Sequence, residues 1–344
     1  MRIPAIALLC LAAGLPAFGQ TRADPKADVR LAVQAELEDF SRPDWNRRPA
    51  SWTAEGVFAP PAGPALTRYR QRIIKEAGWK GGPIWHQAGT LPWTSREGEP
   101  GRLGVNVFFP PQPSKGTLLF VHGYLSHAVN FSYTFAYFTA KGYTVVTLDL
   151  PGHGLSTGAR GDIGSFAEYG DAVALWMNWV WRQHWPGETL LMAHSLGTAA
   201  CFEALGRPDT PRPDRIVFCA PLLRPVWFPA LTLGDALVGW ALRDLPSRFG
   251  WDGFLDGYTM PVHWFETLER WLDRLDRRPP QRLPLTIYAA GDDTVVDTWW
   301  NTAEYRRLVP NARIVVLPGK GHLFLSNTKD RAAFHERLGA DLGL

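Results

Sequence analysis

Six short stretches of this chain are almost unbroken in apolar character: Thr117 to Val121, Tyr143 to Leu148, Thr189 to Ala193, Arg215 to Cys219, Leu285 to Ala289 and Ala312 to Leu317. Each is too short for a buried helix and too uniform for a strand with one wet face. Strands covered on both sides read this way. Helical patterns lie between most of them, at 131–141, 166–185, 197–205, 299–308 and 329–342. Strand and helix in alternation imply the α/β class, with a mainly parallel sheet and helices on both faces. Ahead of the first run, Ile84 to Trp93 and Leu103 to Phe109 alternate like a hairpin of half-buried strands. They bring the expected sheet to eight strands with an antiparallel start.

One interval breaks the alternation. Residues 222–283 are far longer than an ordinary crossover and hold Trp227, Trp240, Trp251, Trp264 and Trp271, with helix-like pieces at 231–244 and 262–275. This reads as an inserted helical cap, rich in tryptophan. The core then comprises 83–221 and 284–344. Residues 20–82 form an N-terminal extension with helical stretches near 28–40 and 66–77, joined by the Pro-rich connector 59–64. At the start, Met1-Arg2 precedes an uncharged stretch, Ile3 to Phe18, and Ala17 and Gly19 are the small residues a signal peptidase reads. Residues 1–19 are therefore expected to be a signal peptide for export, periplasmic or secreted. The alternative is an uncleaved membrane anchor.

Composition removes other classes. The net charge is +3 and the basic residues come in pairs (Arg47-Arg48, Arg277-Arg278, Arg306-Arg307), so nucleic acid is not an expected partner. Cys201 reads as helical and Cys219 as a strand residue; two buried thiols are expected, with a disulfide between them as the alternative. There is no clustered Cys/His pattern, and neither metal nor organic cofactor is expected.

A serine hydroxyl becomes a nucleophile when a neighbouring base takes its proton, and a sharp strand-to-helix turn exposes it. Ala193-His194-Ser195-Leu196-Gly197 has the small residues such a turn needs, directly after the run Thr189 to Ala193 and before a helical pattern. Gly154-Leu155-Ser156-Thr157-Gly158 matches the turn motif more literally, but it leads into further glycine and charge and opens no helix. The near-fingerprint Gly152-His153-Gly154 with Gly158 lacks a dinucleotide site's helix for the same reason. Ser195 is thus the expected nucleophile. Of nine histidines, only His322 and His335 lie beyond the last strand. His335 falls inside a helical pattern and reads as a solvated face residue, whereas His322 sits in Pro318-Gly319-Lys320-Gly321-His322, a loop able to reach back over the sheet end. The imidazole needs a carboxylate to fix its tautomer. Asp293, after the run Leu285 to Ala289, is favoured over Asp292, and Asp297 reads as a helix N-cap. The order Ser, Asp, His suits this fold class. The backbone N–H groups of Leu196 and Tyr124 are the expected oxyanion donors. His122 is expected to act as a structural hydrogen-bonding residue.

His122-Gly123, the run Asp149-Leu150-Pro151-Gly152-His153-Gly154-Leu155-Ser156, the Ser195 turn, and Asp293 with Gly321-His322 together resemble the α/β-hydrolase superfamily, especially its lysophospholipase and monoacylglycerol-lipase branch. The resemblance runs from about Leu103 to the C-terminus. It implies the α/β-hydrolase fold and a serine hydrolase acting through an acyl-serine on carboxylic esters. The substrate expected is a small-molecule or lipid-like ester such as a monoacylglycerol or lysophospholipid, with transient contact between cap and membrane surface. An exported serine aminopeptidase and a non-catalytic binding module on the same fold are the alternatives. Three departures stand out: Ala193 replaces a usual glycine, Tyr124-Leu125-Ser126-His127 stands where small residues are usual, and residues 20–80 have no counterpart.

Overall fold

Backbone groups buried on both faces of a strand can be satisfied only by neighbouring strands, so the apolar runs pair edge to edge. The structure is a computed structural model and describes residues 25–46, 57–58, 62–78, 84–226 and 261–344. The expected signal segment 1–19, the helix-like piece 231–244 and Trp227, Trp240 and Trp251 lie outside the described residues. In chain order the elements are α1 (Pro25–Ala35), β1 (Glu38–Asp39), β2 (Val57–Phe58), α2 (Pro64–Ala77), β3 (Ile84–Thr94), β4 (Pro100–Phe109), β5 (Gly116–Val121), α3 (Ser132–Ala140), β6 (Tyr143–Leu148) and α4 (Ala167–Trp181). There follow β7 (Glu188–His194), α5 (Leu196–Leu205), β8 (Arg215–Cys219), α6 (Val262–Leu275), β9 (Leu285–Ala290), α7 (Thr298–Leu308), β10 (Arg313–Leu317) and α8 (Arg331–Leu342).

The strands form one sheet in the order β1-β3-β4-β6-β5-β7-β8-β9-β10, with β2 pairing β3. Strands β3 and β4 are an antiparallel hairpin and β4 meets β6 antiparallel; from β6 to β10 every pairing is parallel. The eight strands expected from the sequence make up β3 to β10, and the fold is the mainly parallel sheet anticipated. Two more strands join them, giving ten. They come from the N-terminal extension, where Glu38–Asp39 and Val57–Phe58 each lend two residues to β3.

Side chains alternate between two cores, as the two-residue period of a strand requires. Leu119 and Val121 of β5 join one cluster with Tyr169, Trp176, Phe202 and Trp264; Leu118 and Phe120 join the other with Tyr69, Phe135 and Phe334. Helices α4, α5 and α6 thus cover one face, and α2, α3 and α8 the other. Cys201 and Cys219 are buried free thiols. His335 corrects its sequence reading as a solvated residue. It is fully buried, with Phe334 and Leu338 on the same helix face, and both ring nitrogens are occupied, by Arg331 O at 2.6 Å and Thr134 Oγ1 at 2.9 Å.

The order of strands places the site. From β5 the chain steps to β6 on one side, then crosses to β7 on the other. Where the winding reverses, the loops leaving the carboxyl ends of β5 and β7 diverge to opposite faces and leave a crevice between them. His122-Gly123-Tyr124 leaves β5, and Ser195 leaves β7.

Candidate active site

The turn after β7 is tight enough to set Ser195 in an unusual conformation, φ 51° and ψ −121°. A non-glycine residue takes a positive φ only when surrounding bonds hold it there. Here the Ser195 N–H donates to Cys219 O at 3.0 Å, and Ser195 O accepts from the Thr198 N–H at 2.9 Å and the Thr198 hydroxyl at 2.7 Å. Helix α5 opens directly after, pressed so close to β5 that a Cβ on Gly197 would lie 2.5 Å from both Val121 O and His122 O. The glycine two places after the serine therefore answers a contact, and the hydroxyl stands at a helix N-terminus, which favours developing negative charge.

Loops after β9 and β10 bring the other two groups. His322 Nε2 lies 3.0 Å from Ser195 Oγ, and His322 Nδ1 lies 2.9 Å from Asp293 Oδ2. The other Asp293 oxygen accepts from the N–H groups of Val295 at 2.8 Å and Val296 at 3.0 Å. Burial alone would raise the Asp293 carboxyl. The His322 hydrogen bond, the His322 charge and the two backbone donors outweigh burial and hold it below the ordinary carboxylate range. The competing aspartates stand apart: the Asp292 side chain is exposed, and Asp297 caps α7 by accepting from Trp300 N at 3.0 Å while pairing with Arg224. Ser156, the rival serine, is buried in structural bonds. Its hydroxyl donates to Asp149 O and accepts from Gly104 N at 2.8 Å.

The two candidate oxyanion donors flank the same hydroxyl. Leu196 is the first residue of α5, so its N–H has no preceding helical turn whose carbonyl it could bond. On the other side, a Cβ on Gly123 would stand 3.0 Å from Ser195 Cβ, so the Gly123-Tyr124 backbone passes directly against the serine. His122 holds that loop. Leu150 N–H donates to its Nε2 at 2.9 Å, leaving Nδ1–H to donate to Gly123 O at 2.7 Å. Burial pushes this imidazole down to about 3, in keeping with the neutral form these bonds require.

His194 escaped the sequence reading. Its Nε2 lies 3.0 Å from the backbone oxygen of His322, and it can only donate there. Burial and the nearby His322 push it down to about 3, so it stays neutral. His322 is thus held twice, by Asp293 at its ring and by His194 at its main chain. No sequence signal carries this contact, because the partner is a carbonyl 128 positions away.

With this geometry in view, the likenesses to known proteins are consistent. The family described as serine aminopeptidase, S33, of the α/β-hydrolase type, matches residues 112–249. The chain is 32% identical over 106 residues to phospholipase YtpA of Bacillus subtilis, and 27% identical over 101 residues to a monoacylglycerol lipase of Mycolicibacterium smegmatis. These stretches cover 31% and 29% of this chain and only 40% and 36% of those two proteins. Among solved structures, a soluble variant of the Saccharomyces cerevisiae monoglyceride lipase superposes with a TM-score of 0.54 at 16% identity, covering 71% of this chain and 91% of that one. A thermostable carboxyl esterase from Bacillus coagulans gives 0.56 at 15% identity, covering 74% and 98%. At such identities the solved structures speak to the fold, which is that of the α/β hydrolases.

Proposed function

We infer that this chain, an α/β hydrolase by fold, cleaves carboxylic esters through an acyl-serine. The observation that carries the reading is the unbroken line Asp293–His322–Ser195, with contacts of 2.9 and 3.0 Å, at the switch point of the sheet. In this reading the Ser195 oxygen attacks the ester carbonyl while its proton passes to His322 Nε2. The carbonyl oxygen, now carrying the charge, is met by the N–H groups of Leu196 and Tyr124. His322 returns the proton to the departing alcohol as the tetrahedral intermediate collapses, leaving the acyl group on Ser195. Water then attacks the acyl-serine and gives a proton to His322, the acid leaves, and the serine regains its proton. Asp293 stays ionised throughout, fixing the tautomer and stabilising the imidazolium.

The names of the two sequence relatives, a phospholipase and a monoacylglycerol lipase, support a lipid-like ester as substrate. The family description favours a second reading, cleavage of an aminoacyl amide by the same three residues. A panel of esters of graded acyl length against aminoacyl amides separates them, and the proposed result is turnover of esters. A fluorophosphonate probe is expected to label the wild type and not Ser195→Ala, whose kcat falls by roughly 10⁴-fold or more. A wild type that stays unlabelled would leave a binding module on this fold and end the enzymatic reading.

A further inference from the structure

The side chains of the segment after β5 are engaged in a way that catalysis by Ser195 does not itself require. The Tyr124 ring stacks on Trp264 of α6, with centroids 4.0 Å apart and planes at 21°. Its hydroxyl donates to Gly161 O at 2.7 Å. Trp264 is itself fixed: it is buried, its Nε1–H donates to the Tyr169 hydroxyl at 3.1 Å, and its ring meets Phe166 edge-on at 5.8 Å. On either side of Tyr124 the main chain has little freedom. Gly123 is wedged against Ser195 and His194, and Leu125 holds a positive φ of 53°. Three residues further on, the Ala128 N–H is tied to Asp149 Oδ1 at 2.8 Å.

We propose that the Tyr124 side chain is a positioning residue: clamped between Trp264 and Gly161, it makes the seating of α6 set the aim of the Tyr124 N–H into the oxyanion site. This rests on the reading of that N–H as an oxyanion donor. The physical case is short. The N–H and the side chain share one Cα, so a ring held at both its face and its hydroxyl restricts how far that Cα, and the peptide between Gly123 and Tyr124 with it, can turn. Both handles on the ring lie outside the β5 loop, one on the segment after β6 and one on α6. Helix α6 is held to the core by its apolar face, Trp264, Leu268, Trp271 and Leu275, all buried. A donor mis-aimed by a fraction of an ångström loses energy mainly in the transition state, where the oxygen carries its charge. The bonds that hold Ser195 and His322 come from Cys219, Thr198, Asp293 and His194, not from the clamp, so loosening it is expected to spare binding of the uncharged ester.

The test compares Trp264→Leu, which removes the stack, with Trp264→Phe, which keeps a ring there, in the full chain. For Trp264→Leu the expected result is a kcat lower by about tenfold with KM within about twofold, less than the loss of a whole oxyanion donor. Inhibition by a trifluoromethyl ketone, whose adduct places an oxyanion in the same site, should weaken by the same factor as kcat. Trp264→Phe should recover most of both. Equal kcat and equal inhibition in a folded Trp264→Leu protein would overturn the proposal, as would a loss seen in KM alone. Should Trp264→Leu fail to fold, Tyr124→Phe, which deletes only the bond to Gly161, carries the comparison: the proposal requires a several-fold loss in kcat and in inhibitor affinity together, and no loss overturns it. Fluorophosphonate labelling of the wild type is read in parallel. Absent labelling defeats the underlying esterase reading; normal labelling with indifferent variants defeats only the clamp.

Discussion

At the scale of single residues, the site depends on holding one imidazole from two directions. The bond from Asp293 orients the His322 ring, and that from His194 fixes the main chain carrying it. Removing the second should leave the proton path intact but let the loop drift, and displacements of about 1 Å at a reacting group can cost up to 100-fold. His194→Ala is therefore expected to lower kcat by about tenfold or more with little change in KM, and His194→Gln, which keeps an N–H donor, to recover part of it. Steady-state kinetics on one ester decides the matter; an alanine variant with unchanged kcat removes His194 from the site. Ser195, Asp293 and His322 were legible in the sequence because each sits just past an apolar run, in a loop whose glycines announce a turn at the sheet edge. His194 and Trp264 were not, because their roles are contacts made only when distant segments close on one another. His335 misled for a related reason. Its charged helical neighbours suggest solvent, but the buried stripe of α8 is wide enough to include it beside Phe334, and Thr134 satisfies it from another helix.

At the scale of elements, the turn between β7 and α5 stores its shape in the contacts around it. The helix can start so near β5 only because Gly197 has no side chain, and an added Cβ would meet two backbone oxygens at 2.5 Å. Neither oxygen belongs to a flexible side chain, so β5 and α5 must move apart. Gly197→Ala is expected to destabilise the protein by about 1–3 kcal/mol, the range of an overpacked core, and to reduce activity beyond the loss of folded protein, because the displaced backbone carries Ser195. Urea unfolding followed alongside fluorophosphonate labelling separates the two effects; a variant of wild-type stability would show that the helix yields freely. The long strands announced themselves by unbroken apolar runs, whereas β1 and β2, with two residues each, leave no periodicity to read. Their pairing with β3 ties the extension to the sheet edge, and Leu66, Tyr69 and Ile73 of α2 enter the same core as α3.

Across the whole molecule, burial makes five imidazoles harder to protonate. His86, His122 and His194 are pushed down to about 3 and His335 to about 4, and His153 falls well below its ordinary value, in every case chiefly by burial. Unfolded, each would titrate near ~6.5. Below that pH the unfolded chain binds protons that the native protein refuses, so stability is complete above about 6.5 and declines as pH falls toward the native values. Each such group contributes a slope approaching about 1.4 kcal/mol per pH unit once its unfolded form is fully charged. The carboxyls of Asp149 and Glu168, both raised chiefly by burial, pull the other way, but they are two groups against five. Asp293, held low, adds its own loss only at still lower pH, as acid reaches its depressed native value. A domain has roughly 5–15 kcal/mol to lose, so the chain is expected to unfold in acid before most of its carboxylates protonate. Urea midpoints should fall steadily from pH 7 to pH 5, and unfolding at pH 5 should take up several protons in a calorimeter whose buffers differ in ionisation heat. A midpoint that stays level down to about pH 4.5 would mean that these imidazoles accept protons inside the closed fold, and the burial that keeps His122 and His194 neutral beside the serine would no longer explain how they hold their loops.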